Sequence, residues 1–106
     1  MNKIAKEKLE KLNQEIRNCK KCRLWKLRKN TVPGEGPVNA RIMIIGECPG
    51  REEDLFGQPF IGMAGKFLDK LLKKAKIKRG EVFITSCLKC RPFITYIKES
   101  KGAKKK

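Results

Sequence analysis

Helical and extended patterns alternate along the chain. Two stretches carry apolar residues at the three- and four-residue spacing of an amphipathic helix, with charged residues on the opposite side. They are residues 3–18 (Ile4, Ala5, Leu9, Leu12 and Ile16) and residues 66–76 (Phe67, Leu68, Leu71, Leu72 and Ala75). Two apolar runs, residues 41–45 and 82–86, predict strands, and the first is expected to be buried on both faces.

The order of these elements predicts the fold class. A helix between two strands that closes as a right-handed crossover makes the strands parallel. The order helix, strand, helix, strand therefore predicts an α/β fold with a parallel sheet between helices.

A glycine- and proline-rich acidic loop follows the first predicted strand. It begins Gly46-Glu47-Cys48-Pro49-Gly50 and continues to Gly65. In open α/β sheets, the loops at the carboxyl ends of the strands line the ligand crevice. Glycine lets a backbone approach a ligand closely, and proline fixes the path of the loop. This loop is the predicted functional site; the alternative is an ordinary connection between a strand and a helix.

Length, charge and hydropathy limit the classes of protein to which this chain can belong. The 106 residues suffice for one small domain. No apolar run has the length of a membrane span, and the first residues lack the apolar core of a signal peptide, so we expect a soluble, intracellular (cytoplasmic) protein. The net charge of +16 favours a polyanionic partner such as nucleic acid. The alternative is a lysine-rich solvated surface of the kind found in thermophiles.

Four of the five cysteines form two pairs, each with a two-residue gap. They are Cys19 and Cys22, and Cys87 and Cys90. In an intracellular chain, such cysteines favour a metal or a cluster over a disulfide scaffold. For the first pair, a redox dithiol and two unreactive thiols are the alternatives.

Three longer motifs resemble one family. Residues 46–54 read Gly-Glu-x-Pro-Gly-x-x-Glu-Asp, residues 57–65 read Gly-x-Pro-Phe-x-Gly-x-Ala-Gly, and Lys-Cys-Arg-Pro follows the second strand. Together they resemble the iron–sulfur (family 4) uracil-DNA glycosylases over residues 9–92, about the first half of a full-length member. The resemblance implies a three-layer α/β/α domain over residues 1–92, incomplete relative to the family. Residues 93–106 are then a divergent segment with a basic tail, which we expect to be disordered.

The resemblance implies excision of uracil from DNA, as in base excision repair. The base is flipped out of the stack and its N-glycosidic bond is hydrolysed, which leaves an abasic site. Glu47 would activate the attacking water or stabilise positive charge on the sugar, and Phe60 would stack on the uracil. Cys48, Pro49 and Ser86 would join Glu47 in contacting the base. The structural alternatives are a capping role for Glu47 and a core position for Phe60.

The chain departs from the family pattern in two respects near this site. The family commonly has a small residue where Cys48 stands and a uracil-reading asparagine where Ser86 stands. A hydroxyl makes fewer hydrogen bonds than an amide, so we expect weaker rejection of cytosine. The chain also contains no histidine, whereas the family uses one to support charge on the uracil oxygen.

The resemblance also implies a 4Fe–4S cluster. Cys19, Cys22 and Cys90 match three of its four cysteine ligands, and Cys87 is either the fourth ligand or a buried thiol. Zinc is the alternative metal for such a set. Two alternatives to an active enzyme follow: a non-catalytic iron–sulfur DNA-binding remnant, and one half of a split glycosylase whose partner chain supplies the missing C-terminal half.

Overall fold

The computed structural model describes residues 2–92, and the predicted division of the chain at residue 92 therefore lies at the edge of the described part. The predicted divergent segment and tail, residues 93–106, lie outside it. Over residues 2–92, three helices and two strands follow one another in the order α1, β1, α2, α3, β2. Their bounds are α1 Asn2–Arg17, β1 Met43–Gly46, α2 Arg51–Phe56, α3 Met63–Lys74 and β2 Phe83–Ser86. Short 3₁₀ turns occupy Arg23–Lys26 and Arg79–Glu81. Within residues 2–92, no helix is both long and apolar enough to cross a membrane.

The two strands pair in parallel, as predicted, and the α/β class is confirmed. Their register places Ile44 beside Ile84 and Gly46 beside Ser86. On the other edge of β2, Glu35 forms an isolated antiparallel bridge with Ile84. Each of these two residues donates its N–H to the other's carbonyl, at 2.9 and 2.8 Å. Over the described residues, the outer edge of β1 has no strand beside it.

One face of the sheet carries the hydrophobic core. Leu72 of α3 packs with Val82 and Ile84, and Ile44 and Leu68 lie against this cluster. The predicted apolar face of this helix is therefore only partly used, since Phe67 and Leu71 remain 63% and 48% exposed. The helix α3 also begins at Met63 rather than at residue 66. The earlier start follows from Gly62, whose extended backbone caps the helix and whose carbonyl accepts the Lys66 N–H.

The prediction that the first strand is buried on both faces is wrong in this structure. Met43 and Ile45 point to the face opposite the core and remain 59% and 57% exposed. Successive side chains of a strand alternate between faces, so the packing of the partly buried Ile44 against the core does not determine the exposure of its neighbours. Ala5 and Leu9 of α1 line a cavity with Met43 at the start of the strands, and α1 is otherwise largely exposed. The second face is thus only partly covered within residues 2–92.

Candidate functional site

A cavity of about 320 Å³ lies at the carboxyl ends of the two strands. Cys48, Pro49, Phe60 and Ser86 all line it. These are four of the five residues expected to contact a base, and they come from the loop after β1, the loop before α3 and the last residue of β2. The structure therefore brings together residues as far apart in the sequence as Cys48 and Ser86.

Glu47, the fifth residue, is placed differently. Its side chain is exposed and is not among the residues that line the cavity. Its backbone carbonyl accepts the N–H of Leu88 at 3.1 Å, which ties the first loop to the end of β2. The Glu47 side chain is thus exposed to water outside the lining, and its charge acts on the neighbouring Cys48 thiol.

Two glycines hold Phe60 in place. A Cβ atom on Gly46 would come within 2.7 Å of Cε2 and Cζ of the Phe60 ring, so the ring lies directly against the end of β1. A Cβ atom on Gly65 would lie 1.9 Å from the Phe60 carbonyl oxygen, so the backbone of Phe60 lies directly against the first turn of α3. Phe60 itself has a φ of 50°, in the left-handed region that non-glycine residues rarely occupy. The absence of a side chain at Gly46 therefore lets the Phe60 ring pack against β1, and its absence at Gly65 lets the Phe60 backbone pack against α3.

Glu53 organises the loops around the cavity. Its Oε1 accepts the Gly50 N–H at 3.0 Å, and its Oε2 accepts the N–H groups of Ile61 and Gly62, each at 2.9 Å. Burial acts to raise the pKa of this carboxyl group, but these backbone hydrogen bonds outweigh it and lower the pKa below its ordinary value. Sequence reasoning missed this role. The available signal was a glutamate at the third position of a short helix, where a carboxylate reaches back to free backbone N–H groups.

The surroundings of Ser86 and Cys48 limit what these two small side chains can offer a ligand in the cavity. The Ser86 hydroxyl donates to the Leu88 carbonyl, so it offers the cavity only its oxygen lone pairs. Burial, reinforced by the charges of Glu47 and Glu53, raises the pKa of the Cys48 thiol. Cys48 therefore stays protonated at neutral pH and acts as a small, weakly polar part of the wall.

All four paired cysteines line a second cavity, of about 540 Å³. Cys19 and Cys22 come from the segment after α1, and Cys87 and Cys90 from the segment after β2. All four are free thiols, and Cys90 is the most buried of them. In the described part of the chain, no three potential ligand residues are close enough together to hold a single metal ion as they stand. Four thiols are the donor type of a thiolate-bound metal or cluster, and the 4Fe–4S cluster implied by the sequence stays a prediction.

The chain was also compared with families of known proteins. Residues 33–106, more than half of the chain, match the model of the uracil DNA glycosylase superfamily. The chain belongs to this superfamily. The resemblance deduced from the sequence motifs is thereby confirmed, and the predicted domain boundary at residue 92 stays a prediction.

Several curated members of the superfamily are similar to the chain. The type-4 uracil-DNA glycosylase of Saccharolobus solfataricus is 52% identical over 87 residues, which cover 81% of this chain and 40% of that protein. The type-4 uracil-DNA glycosylase of Pyrobaculum aerophilum is 52% identical over 84 residues, which cover 79% of this chain and 43% of that protein. The type-4 uracil-DNA glycosylase of Thermotoga maritima is 43% identical over 86 residues, which cover 81% of this chain and 45% of that protein. The chain thus spans less than half the length of these curated relatives.

Proposed function

We propose that this member of the uracil-DNA glycosylase superfamily binds uracil flipped out of DNA and hydrolyses its N-glycosidic bond to leave an abasic site. The observation that carries the proposal is the cavity at the strand ends, with Phe60 held against Gly46 on one wall and Ser86 on another. The similarity to proteins named type-4 uracil-DNA glycosylases supports the same substrate.

Phe60 supplies the binding surface for the base. Extrusion of a base costs a few kcal/mol, and stacking on an aromatic ring can contribute roughly 1–3 kcal/mol toward it. The ring already packs against the end of β1 before the base arrives, in the space that the missing side chain of Gly46 leaves open. Little ordering of this side chain is therefore needed on binding.

Ser86 provides part of the discrimination between bases. With its proton directed at the Leu88 carbonyl, its oxygen can accept a hydrogen bond from N3–H of uracil. Cytosine has no hydrogen on that ring nitrogen, but its exocyclic amino group can donate instead. One hydroxyl therefore separates the two bases less well than the amide of the family asparagine.

Glu47 acts from outside the lining of the cavity. A carboxylate at this exposed place can orient a water molecule or face the positive charge that develops on the sugar when the bond breaks. The 106 residues contain no histidine to support the departing uracil, and loss of a donor of that kind typically lowers the rate by two to three orders of magnitude. We expect slow catalysis by this chain.

The second cavity is the proposed site of a 4Fe–4S cluster, with zinc as the alternative. Cys19, Cys22, Cys87 and Cys90 would be the ligands. When bound, the cluster would join the segment after α1 to the segment after β2. Its role is structural, because the base cavity is lined by other residues.

DNA containing uracil is the proposed partner. The net charge of +16 favours a polyanion, and binding that depends on phosphate contacts weakens steeply as salt rises. The exposed Met43 and Ile45 and the free edge of β1 in the described part of the chain suit a further strand and helix. In the proposed three-layer α/β/α arrangement these come from the remaining length of the family fold, in this chain or in a partner chain.

The test is release of uracil from an oligonucleotide with a single uracil. The wild-type chain and Phe60→Ala are compared, with a thymine-containing oligonucleotide as the control for specificity. We expect slow uracil release by the wild type, at least tenfold slower release by Phe60→Ala, and no thymine release. Salt-sensitive DNA binding with no release at any concentration of protein would instead support the non-catalytic DNA-binding function, which the position of Glu47 outside the lining also favours. Copurification with a chain that carries the remaining motifs, and release only in its presence, would support the split enzyme.

A further inference from the structure

The side chain of Arg28 connects the two segments that carry the paired cysteines. Its Nη1 donates to the backbone carbonyl of Cys19 at 2.6 Å and to the Sγ atom of Cys90 at 3.3 Å. Its Nη2 donates to the carbonyl of Arg17 at the end of α1. One planar guanidinium thus joins the end of α1 to Cys90, which lies 62 positions after Arg28 along the chain.

The backbone that follows Arg28 is fixed independently. Oδ1 of Asp54 accepts the N–H groups of Lys29 at 3.0 Å and Asn30 at 3.4 Å. Asp54 is only 1% exposed, and the Asn30 side chain donates to its backbone carbonyl at 3.0 Å. The base of the Arg28 side chain is therefore anchored to α2, so its guanidinium is presented to the cysteines at little further cost in conformational entropy.

We propose that Arg28 is a positioning residue of the cysteine cavity. It holds the backbone at Cys19 and the sulfur of Cys90 near one another before a metal binds, and it donates an N–H···S hydrogen bond to the bound thiolate. The inference rests on the proposed metal site, and it adds a residue that is not itself a ligand. A permanently charged donor beside a ligating sulfur stabilises the more negative state of the site, so it raises the reduction potential of a cluster.

The chemistry of arginine matters here. Its fork reaches three acceptors at once, whereas a lysine ammonium at the same place carries the charge without the planar fork. Lys21 offers a matched control, because it lines the same cavity, carries the same charge and is exposed. Arg28→Gln and Lys21→Gln therefore remove one positive charge each, and only the former removes the hydrogen bonds to Cys19 and Cys90.

The experiment compares wild-type protein, Arg28→Gln, Arg28→Lys and Lys21→Gln, all purified without oxygen. Zinc affinity is measured by competition with a chelator, and iron content, the visible spectrum and the reduction potential are measured after reconstitution with iron and sulfide. Supporting partners of metal ligands typically contribute 10- to 100-fold to affinity, so we expect a loss in this range for Arg28→Gln. Arg28→Lys should lose less, and Lys21→Gln should bind as the wild type does. The cluster of Arg28→Gln should also have a lower reduction potential.

Each possible result supports or contradicts the proposed role of Arg28. Equal zinc affinity and equal potential in the wild type and Arg28→Gln would overturn the role of Arg28, even if the wild type binds a cluster. If the wild type binds neither zinc nor a cluster at these cysteines, the proposed metal site itself fails, and Arg28 loses its role with it. If Arg28→Gln does not fold without metal, Arg28→Lys provides the test. A reduction potential of the Arg28→Lys cluster equal to that of the wild-type cluster would overturn the hydrogen-bond argument. Uracil release, measured on the same samples, reports separately on the proposed function.

Discussion

Replacement of Gly46 by alanine should displace the Phe60 ring and leave the rest of the fold in place. The new Cβ atom would lie 2.7 Å from two ring carbons, and its next neighbour, the Thr85 carbonyl oxygen, would be 3.8 Å away. Carbon atoms prefer separations of about 3.5–4.0 Å, so the ring must retreat by about 1 Å. The stacking surface would then no longer lie where the base binds. Loss of most of a stacking contribution of roughly 1–3 kcal/mol corresponds to about 5- to 150-fold weaker binding.

The assay is fluorescence polarisation with an oligonucleotide that contains one uracil, and with the thymine equivalent. We expect Gly46→Ala to reduce the preference for the uracil oligonucleotide about tenfold, with uracil release falling in parallel. Its stability should fall only modestly, by about 1 kcal/mol, because the obstacle is a side chain that can move. Gly65→Ala should behave differently, since its Cβ atom would meet the Phe60 backbone at 1.9 Å and the first turn of α3 would have to shift. For Gly65→Ala we expect clear destabilisation, of about 1–3 kcal/mol or more.

Gly80→Ala is the matched control. No atom lies within 4 Å of the Cβ that it would add, and its φ is not in the left-handed region. If Gly46→Ala kept the full uracil preference of the wild type, the inference that Phe60 forms the stacking wall would be refuted. An equal loss in Gly80→Ala would show that the effect has nothing to do with the ring.

Three further predictions concern the residues around the cavity. Glu53→Gln should lower the free energy of unfolding by about 1 kcal/mol at pH 7, because it weakens three hydrogen bonds from backbone N–H groups. This figure allows for the screening of the partly exposed carboxylate by solvent. Because the folded-state pKa of Glu53 is lowered, its contribution is present above its unfolded pKa, near 4.5, and should disappear as pH falls further, which urea denaturation at pH 7 and pH 3 would test. Asp54→Ala should cost about 1–3 kcal/mol, since two backbone N–H groups lose a buried acceptor, whereas Asp69→Ala, which breaks an exposed ion pair with Arg79, should cost less than about 1 kcal/mol. Ser86→Asn should increase the ratio of uracil to cytosine binding, measured with paired oligonucleotides, because an amide both donates and accepts.

The outcomes that would contradict these predictions are specific. A Glu53→Gln variant whose stability deficit is the same at pH 3 and pH 7 would show that the carboxylate charge is not what holds the loops. Equal costs for the two aspartate variants would mean that burial of Asp54 has no consequence. An unchanged base ratio in Ser86→Asn would remove residue 86 from the discrimination.

Local pattern in the sequence was enough to predict the framework of this protein. The apolar spacing of residues 66–76 and the runs at residues 41–45 and 82–86 predicted a helix between parallel strands, and the structure has that arrangement. Such patterns work because a helix or a strand must place apolar side chains at its own period to bury a face. The glycine- and proline-rich motifs likewise indicated the region of the cavity, because they restrict the backbone wherever they occur.

The tertiary structure alone decided which residues meet. The six-residue helix α2 is too short to be predicted from the period of its apolar residues. The role of Glu53 depends on loop N–H groups that lie eight and nine residues further along the chain. The exposure of Met43 and Ile45 depends on what covers the second face, which no alternation within the strand can specify. Contacts such as that of Arg28 with Cys90 join distant parts of the chain, and their geometry arises only when the elements pack. A local period can select an element and its apolar face, but the neighbour that meets this face is chosen by packing across the whole chain.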